Sequence, residues 1–175
     1  MEPYSPMLTS SLFSLIPYIC KVPNEFNIKL NIMSTVSTQY HVYDYYSKKY
    51  NIKNKWLTRI SECLDGVGII LVCNSFIFNK CMRNSINNID KSIIFFYVSS
   101  KLTSNIEIVK HHQYLISLIT SSLINPKILL PWALSITGLR DYFRSGLVWN
   151  TYNRIVWHIG TTLYLCTGSE ILLRK

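Results

Sequence analysis

The chain has 175 residues, of which 49% are hydrophobic and only 15% charged, and it carries 18 Lys+Arg against 9 Asp+Glu, a formal net charge of +9. That length suits a single unit, residues 1–175, without room for two separate globular domains. The apolar content excludes a disordered tail, and the charged fraction falls well short of the quarter usual in soluble domains. Few charges combined with a basic excess point to two classes, nucleic-acid binders and membrane proteins with Lys and Arg in their loops.

In chain order, the sequence reads as apolar blocks separated by short polar, mostly basic loops: about residues 7–20, 30–46, 57–79, 92–108, 112–125, 127–143 and 146–173. The first block lacks the basic flank of a cleavable signal peptide and contains Pro17, so it reads as a retained first helix. Lys48, Lys49, Lys53, Lys55 and Arg59 crowd the connection between the second and third blocks and favour a cytosolic loop there. Residues 64–78 and 146–173 have the apolar length for a bilayer most easily, whereas Lys101 weakens the fourth block as a span. Pro126 and Pro131 bracket a further break. Short connections make neighbouring helices antiparallel. The fold class expected is therefore all-α, a multi-pass membrane bundle of about seven short transmembrane helices. A soluble basic helical domain is the competing class.

Two chemistries recede at once. Cys20, Cys63, Cys73, Cys81 and Cys166 are scattered and form no C-x-x-C pair, which speaks against a zinc knuckle or a disulfide framework. Tyr43, Tyr45, Tyr46 and Tyr50 among lysines have the composition to stack bases, but no helix-turn-helix, zinc-finger or RNA-recognition signature accompanies them. Interfacial anchoring of membrane helices produces the same composition, so nucleic acid is not an expected partner.

The informative residues are polar ones inside apolar blocks, where burial is costly without a task. Ser37 and His41 stand four apart on one helical face, Asp65 sits at the start of a long apolar run, and His158 lies among Val156, Trp157 and Ile159. Each has a plain structural alternative. Ser37 can bond back to a carbonyl one turn earlier, Asp65 can cap a helix, and His158 can be a satisfied core histidine. Gly66 and Gly68 read as points of close helix packing. No G-x-S-x-G, H-E-x-x-H, Walker loop or G-x-G-x-x-G is present.

Taken in order, Ser37-x-x-x-His41, then Leu64-Asp65-x-x-Gly68-Ile69, then Trp157-His158 in the last block form a pattern. It resembles the membrane superfamily of alkaline ceramidases, progestin and adiponectin receptors, and myomaker-like proteins, over roughly residues 30–170. The resemblance implies a seven-helix hydrolase fold with zinc inside the bundle, and a lipid amide or ester as substrate. By it, His41 and His158 are metal ligands, Asp65 holds or deprotonates the metal-bound water, and Ser37 supports it.

One position departs from the pattern. The family places a second histidine four residues before His158, and this chain has Arg154, which cannot ligate zinc. Asp65 can serve as third ligand, His111 or His112 can contribute, or the metal is lost and Arg154 pairs with Asp65 instead. The resemblance implies an integral membrane location, endomembrane or, for a viral protein, a host membrane. It leaves three functional readings: a zinc-dependent lipid hydrolase, an inactive membrane interaction or receptor-like relative, and a soluble protein whose motif matches are accidental.

Overall fold

A computed structural model describes residues 5–52, 54–77, 88–103 and 150–173, with a few single positions between 119 and 144. Every described element is a helix: α1 (Ser5–Ile19), α2 (Asn24–Lys49), α3 (Lys55–Ile77), α4 (Asn88–Thr103) and α5 (Thr151–Leu173). These helices occupy the first four apolar blocks and the last. The blocks at 112–125 and 127–143, with His111 and His112, lie outside the described residues apart from those single positions.

α2 starts six residues before its apolar block. The reason is its buried stripe, Phe26, Lys29, Leu30, Met33, Ser34, Ser37 and His41, which recurs every three to four residues and includes a lysine. α3 begins where Asn54 caps it, its side-chain oxygen accepting from the backbone N–H of Trp56 and Leu57, each at 3.1 Å. Asp65 is therefore ten residues inside α3, and the reading of Asp65 as a cap is overturned. Asn150 caps α5 in the same way, accepting from the backbone N–H of Asn153 at 2.9 Å. Only residues 50–54 separate α2 from α3, and Asn51 makes the reversal in the left-handed region at φ 53°.

The main core joins α1, α2, α3 and α5 through Phe13, Ile16, Phe26, Leu30, Met33, Ile69, Val72, Phe76, Tyr164 and Leu165. A smaller cluster of Cys63, Ile70 and Tyr97 seats α4 on α3. Both expected close approaches are present. A Cβ on Gly68 would stand 2.8 Å from the Met33 Cα of α2, and one on Gly66 would collide with the Tyr97 ring of α4.

Polar groups are prominent in the interior. Lys29 of α2, 1% exposed, donates to Asp90 Oδ2 of α4 at 2.9 Å, and Asn74 of α3 donates to Asp90 Oδ1 at 3.1 Å. Lys101, expected to weaken α4 as a span, is 2% exposed and turned inward, 3.6 Å from Glu62 Oε2 of α3. Meanwhile Phe95, Phe96, Leu64, Ile60 and Trp56 face outward. Among the described residues one helix, Lys55–Ile77, is long and apolar enough to cross a membrane. The expectation that residues 146–173 span as easily is not met, because α5 carries Asn153, Arg154, His158 and Glu170.

The buried ion pair gives a direct test. Asp90→Ala strands the Lys29 ammonium between three helices and is expected to cost about 3–5 kcal/mol. Lys29→Met combined with Asp90→Leu removes both charges and recovers most of that loss. Denaturant or thermal unfolding of the purified variants measures both.

Candidate functional site

The interior stripe of α2 turns polar toward its C-terminal half, and there it meets α5. His41 Nε2 lies 2.9 Å from His158 Nε2, joining residues 117 apart in sequence. The two rings meet edge to face at 81°, and Phe13 of α1 packs its ring at 88° to that of His158. Both histidines are buried, at 6% and 3% exposure. One ring must donate its N–H to the other's lone pair, so the pair holds complementary tautomers. The far nitrogen of His41, Nδ1, is buried without a hydrogen-bond partner.

Ser37, one turn before His41 on the same face of α2, is 3% exposed and lies near the Asp65 carboxylate of α3. Asp65 Oδ1 is itself buried with no hydrogen-bond partner. Of the four residues singled out in the sequence, Ser37, His41 and His158 are buried and Asp65 is half-buried, and the direct contact among them is that of His41 with His158. His158, buried and hydrogen-bonded to His41, has the surroundings of the satisfied core histidine considered for it.

Arg154 begins one turn before His158 and does not reach for Asp65. Its Nη1 lies 2.5 Å from Oδ2 of Asp44, an oxygen that Lys48 also meets at 2.8 Å. Asp44 is three residues beyond His41 and was not singled out in the sequence, where it reads as one charge among tyrosines and lysines near a helix end. Around it, Lys49 lies 5.8 Å from the Tyr45 ring centroid and 5.5 Å from that of Tyr50, while Tyr46 stacks on Tyr50. Trp56 stands exposed across the same connection. The histidine pair therefore sits about one helical turn inside an aromatic and basic rim.

Does this arrangement fit zinc? Two imidazole nitrogens on one tetrahedral zinc stand about 3.3 Å apart, a small opening from the separation observed. The unpartnered Asp65 oxygen is a suitable neighbour for bound water. A catalytic zinc takes three protein ligands, however, and among the described residues no group of three His, Cys, Asp or Glu comes together. Arg154 adds a fixed positive charge whose field reaches both rings and disfavours a further cation. The described residues supply two nitrogen ligands and no assembled third. They do not make a complete zinc centre.

The direct contact predicts coupling. His41→Ala or His158→Ala alone leaves a buried ring nitrogen facing a void, whereas the double variant removes both partners. A double-mutant cycle on unfolding free energy is expected to return an interaction of about 0.5–3 kcal/mol, and additivity would show that the rings do not meet.

No family model, curated protein or solved structure matches this chain.

Proposed function

We propose that this chain is a membrane-embedded helical bundle, a divergent relative of the ceramidase-like hydrolases, acting as a catalytically inactive membrane interaction or receptor-like protein. Support for membrane embedding comes from the distribution of side chains. Lys29, Asp90, Lys101, His41 and His158 are turned inward, while Phe95, Phe96, Ile60 and Trp56 are turned outward. A Trp- and Tyr-rich rim with lysines at one end has the composition of a membrane interface. The seven-helix arrangement belongs to this proposal, as does a lipid as partner.

The observation that carries the inactive reading is the Arg154–Asp44 ion pair. The residue standing where a third ligand is expected is committed to a carboxylate on α2 and holds a permanent charge one turn from His158. Under this reading the histidine pair fastens α5 to α2, and that contact needs no metal.

A second reading, zinc-dependent hydrolysis of a lipid amide or ester, is favoured by the direct contact of His41 with His158, which offers two nitrogen ligands, and by the unpartnered Asp65 Oδ1. Here His41 and His158 are ligands, and Asp65 and Ser37 manage the proton of the attacking water.

Metal analysis and lipid turnover on the detergent-purified protein separate the two. The proposal expects zinc well below one per chain, no cleavage of long-chain ceramides or lipid esters, and a measurable gain in zinc for Arg154→His, which restores the missing nitrogen. Stoichiometric zinc in the wild type, lost in His41→Ala and His158→Ala together with turnover, would overturn it. The membrane component fails separately if the protein stays in the supernatant after high-speed centrifugation without detergent.

A further inference from the structure

Between Asp44 and Glu62 the chain carries five basic residues, Lys48, Lys49, Lys53, Lys55 and Arg59, and no acidic one. The end of α2 and the start of α3 hold this segment in a defined shape. Tyr43 donates its hydroxyl to the Asn54 carbonyl at 3.3 Å, across the reversal between the helices. Tyr46 and Tyr50 stack with parallel rings 5.9 Å apart, and Lys49 lies over the rings of Tyr45 and Tyr50 at 5.8 and 5.5 Å. Lys48 shares the Asp44 carboxylate with Arg154, so those three groups together keep a positive charge.

An apolar stripe runs beside the cations. Trp56, Leu57, Ile60 and Leu64 fall on one face of α3, and all four are exposed, Trp56 by 66%. An open stripe of this kind marks a contact surface. From Trp56 to Leu64 it extends about 12 Å along the helix, starting at the basic end and leading away from it. Its partner must therefore present anions first and hydrocarbon beyond them. A polynucleotide offers phosphates and base faces but nothing for Leu57, Ile60 and Leu64. A phospholipid leaflet offers both, with head groups outside and acyl chains beneath.

We propose that this end of the bundle docks an anionic phospholipid leaflet. Lys48, Lys49 and Lys55 meet head-group phosphates and carboxylates, Trp56 sits at the head-group level, and Ile60 and Leu64 lie against acyl chains. The proposal rests on the membrane-embedded reading and adds to it the charge of the leaflet that this end faces. Lys49, already held over two rings, loses little further rotamer freedom on meeting a phosphate. A basic residue near an anionic surface is worth about a fivefold gain in partition.

The test uses the full chain reconstituted in phosphatidylcholine nanodiscs, with its tryptophan fluorescence quenched by brominated phosphatidylserine or brominated phosphatidylcholine. Subtracting the Trp56→Phe variant isolates the Trp56 signal. Half-maximal quenching of Trp56 is expected at a mole fraction of phosphatidylserine roughly fivefold below that of phosphatidylcholine. High salt narrows that preference to about twofold or less, and so does the triple variant Lys48→Gln, Lys49→Gln, Lys55→Gln. Lys91→Gln, which removes an exposed lysine beside Asp90 toward the other end of the bundle, keeps it. Should the triple variant lose helicity by circular dichroism, the salt dependence of the wild type carries the same comparison. Equal quenching by the two lipids, or quenching of Trp56 by neither, in discs that contain the chain would overturn the proposal and leave the membrane reading standing. Equal quenching together with retention of a single-stranded RNA oligonucleotide would assign the rim to nucleic acid instead. A chain that does not enter the discs overturns the membrane reading itself, and this proposal with it.

Discussion

The contact between His41 and His158 is a long-range interaction on which the position of the last helix turns. It joins α2 to α5 across 117 residues, and apolar packing alone does not specify such a register. The core residues of both helices, Leu30 and Met33 of α2 and Leu165 and Leu172 of α5 among them, tolerate sliding by a turn because one aliphatic side chain substitutes for another. A hydrogen bond between two ring nitrogens does not tolerate it: a shift of one residue along α5 moves His158 by about 1.5 Å and turns it by about 100°. The histidine pair therefore acts as a register pin between α2 and α5.

A second pin stands in the other half of the bundle. Lys29 precedes His41 by twelve residues, about 18 Å along the helix, and meets Asp90 and Asn74 there. α2 thus carries a polar determinant in each half, each satisfied by different helices, with Leu30 and Met33 between. If the surroundings are lipid, packing of apolar side chains gives little preference for one helix neighbour over another. Polar contacts of this kind then decide which helices associate. That logic explains why the interior of a chain with so few charges keeps Lys29, Asp90 and Lys101.

How much of this was legible in the sequence depends on the range of the information. Ser37 and His41 are a local signal, four apart on one face, and the burial of that face follows from helical periodicity. His158 was legible because a polar ring among Val156, Trp157 and Ile159 contradicts its surroundings. The Lys29–Asp90 pair was not. Lys29 lies just before the apolar run of its helix and Asp90 just before that of its own, so each reads as a flanking charge, and only the packing of α2 on α4 turns both inward. The cap reading of Asp65 failed because a carboxylate preceded by polar residues and followed by Gly66 looks locally like a helix start, whereas the helix begins at the Asn54 cap, amid polar residues. Asp44 was hidden by the tyrosines and lysines around it, a setting in which a single carboxylate carries no distinguishing mark.

Arg154 draws these threads together. A guanidinium cannot shed its charge, so placing one a turn from two buried imidazoles requires an anion nearby. Asp44 supplies it from the next turn of α2, and Lys48 shares the same oxygen, which puts the carboxylate between two cations. The ion pair spans the same two helices as the histidine pair and lies one turn nearer the rim. Arg154 is therefore more than an added charge. It brings its own cross-helix bond, and the geometry that zinc would impose on α2 and α5 is imposed here by two contacts in series, one charged and one neutral. A bundle held in that way keeps its helix register without a metal.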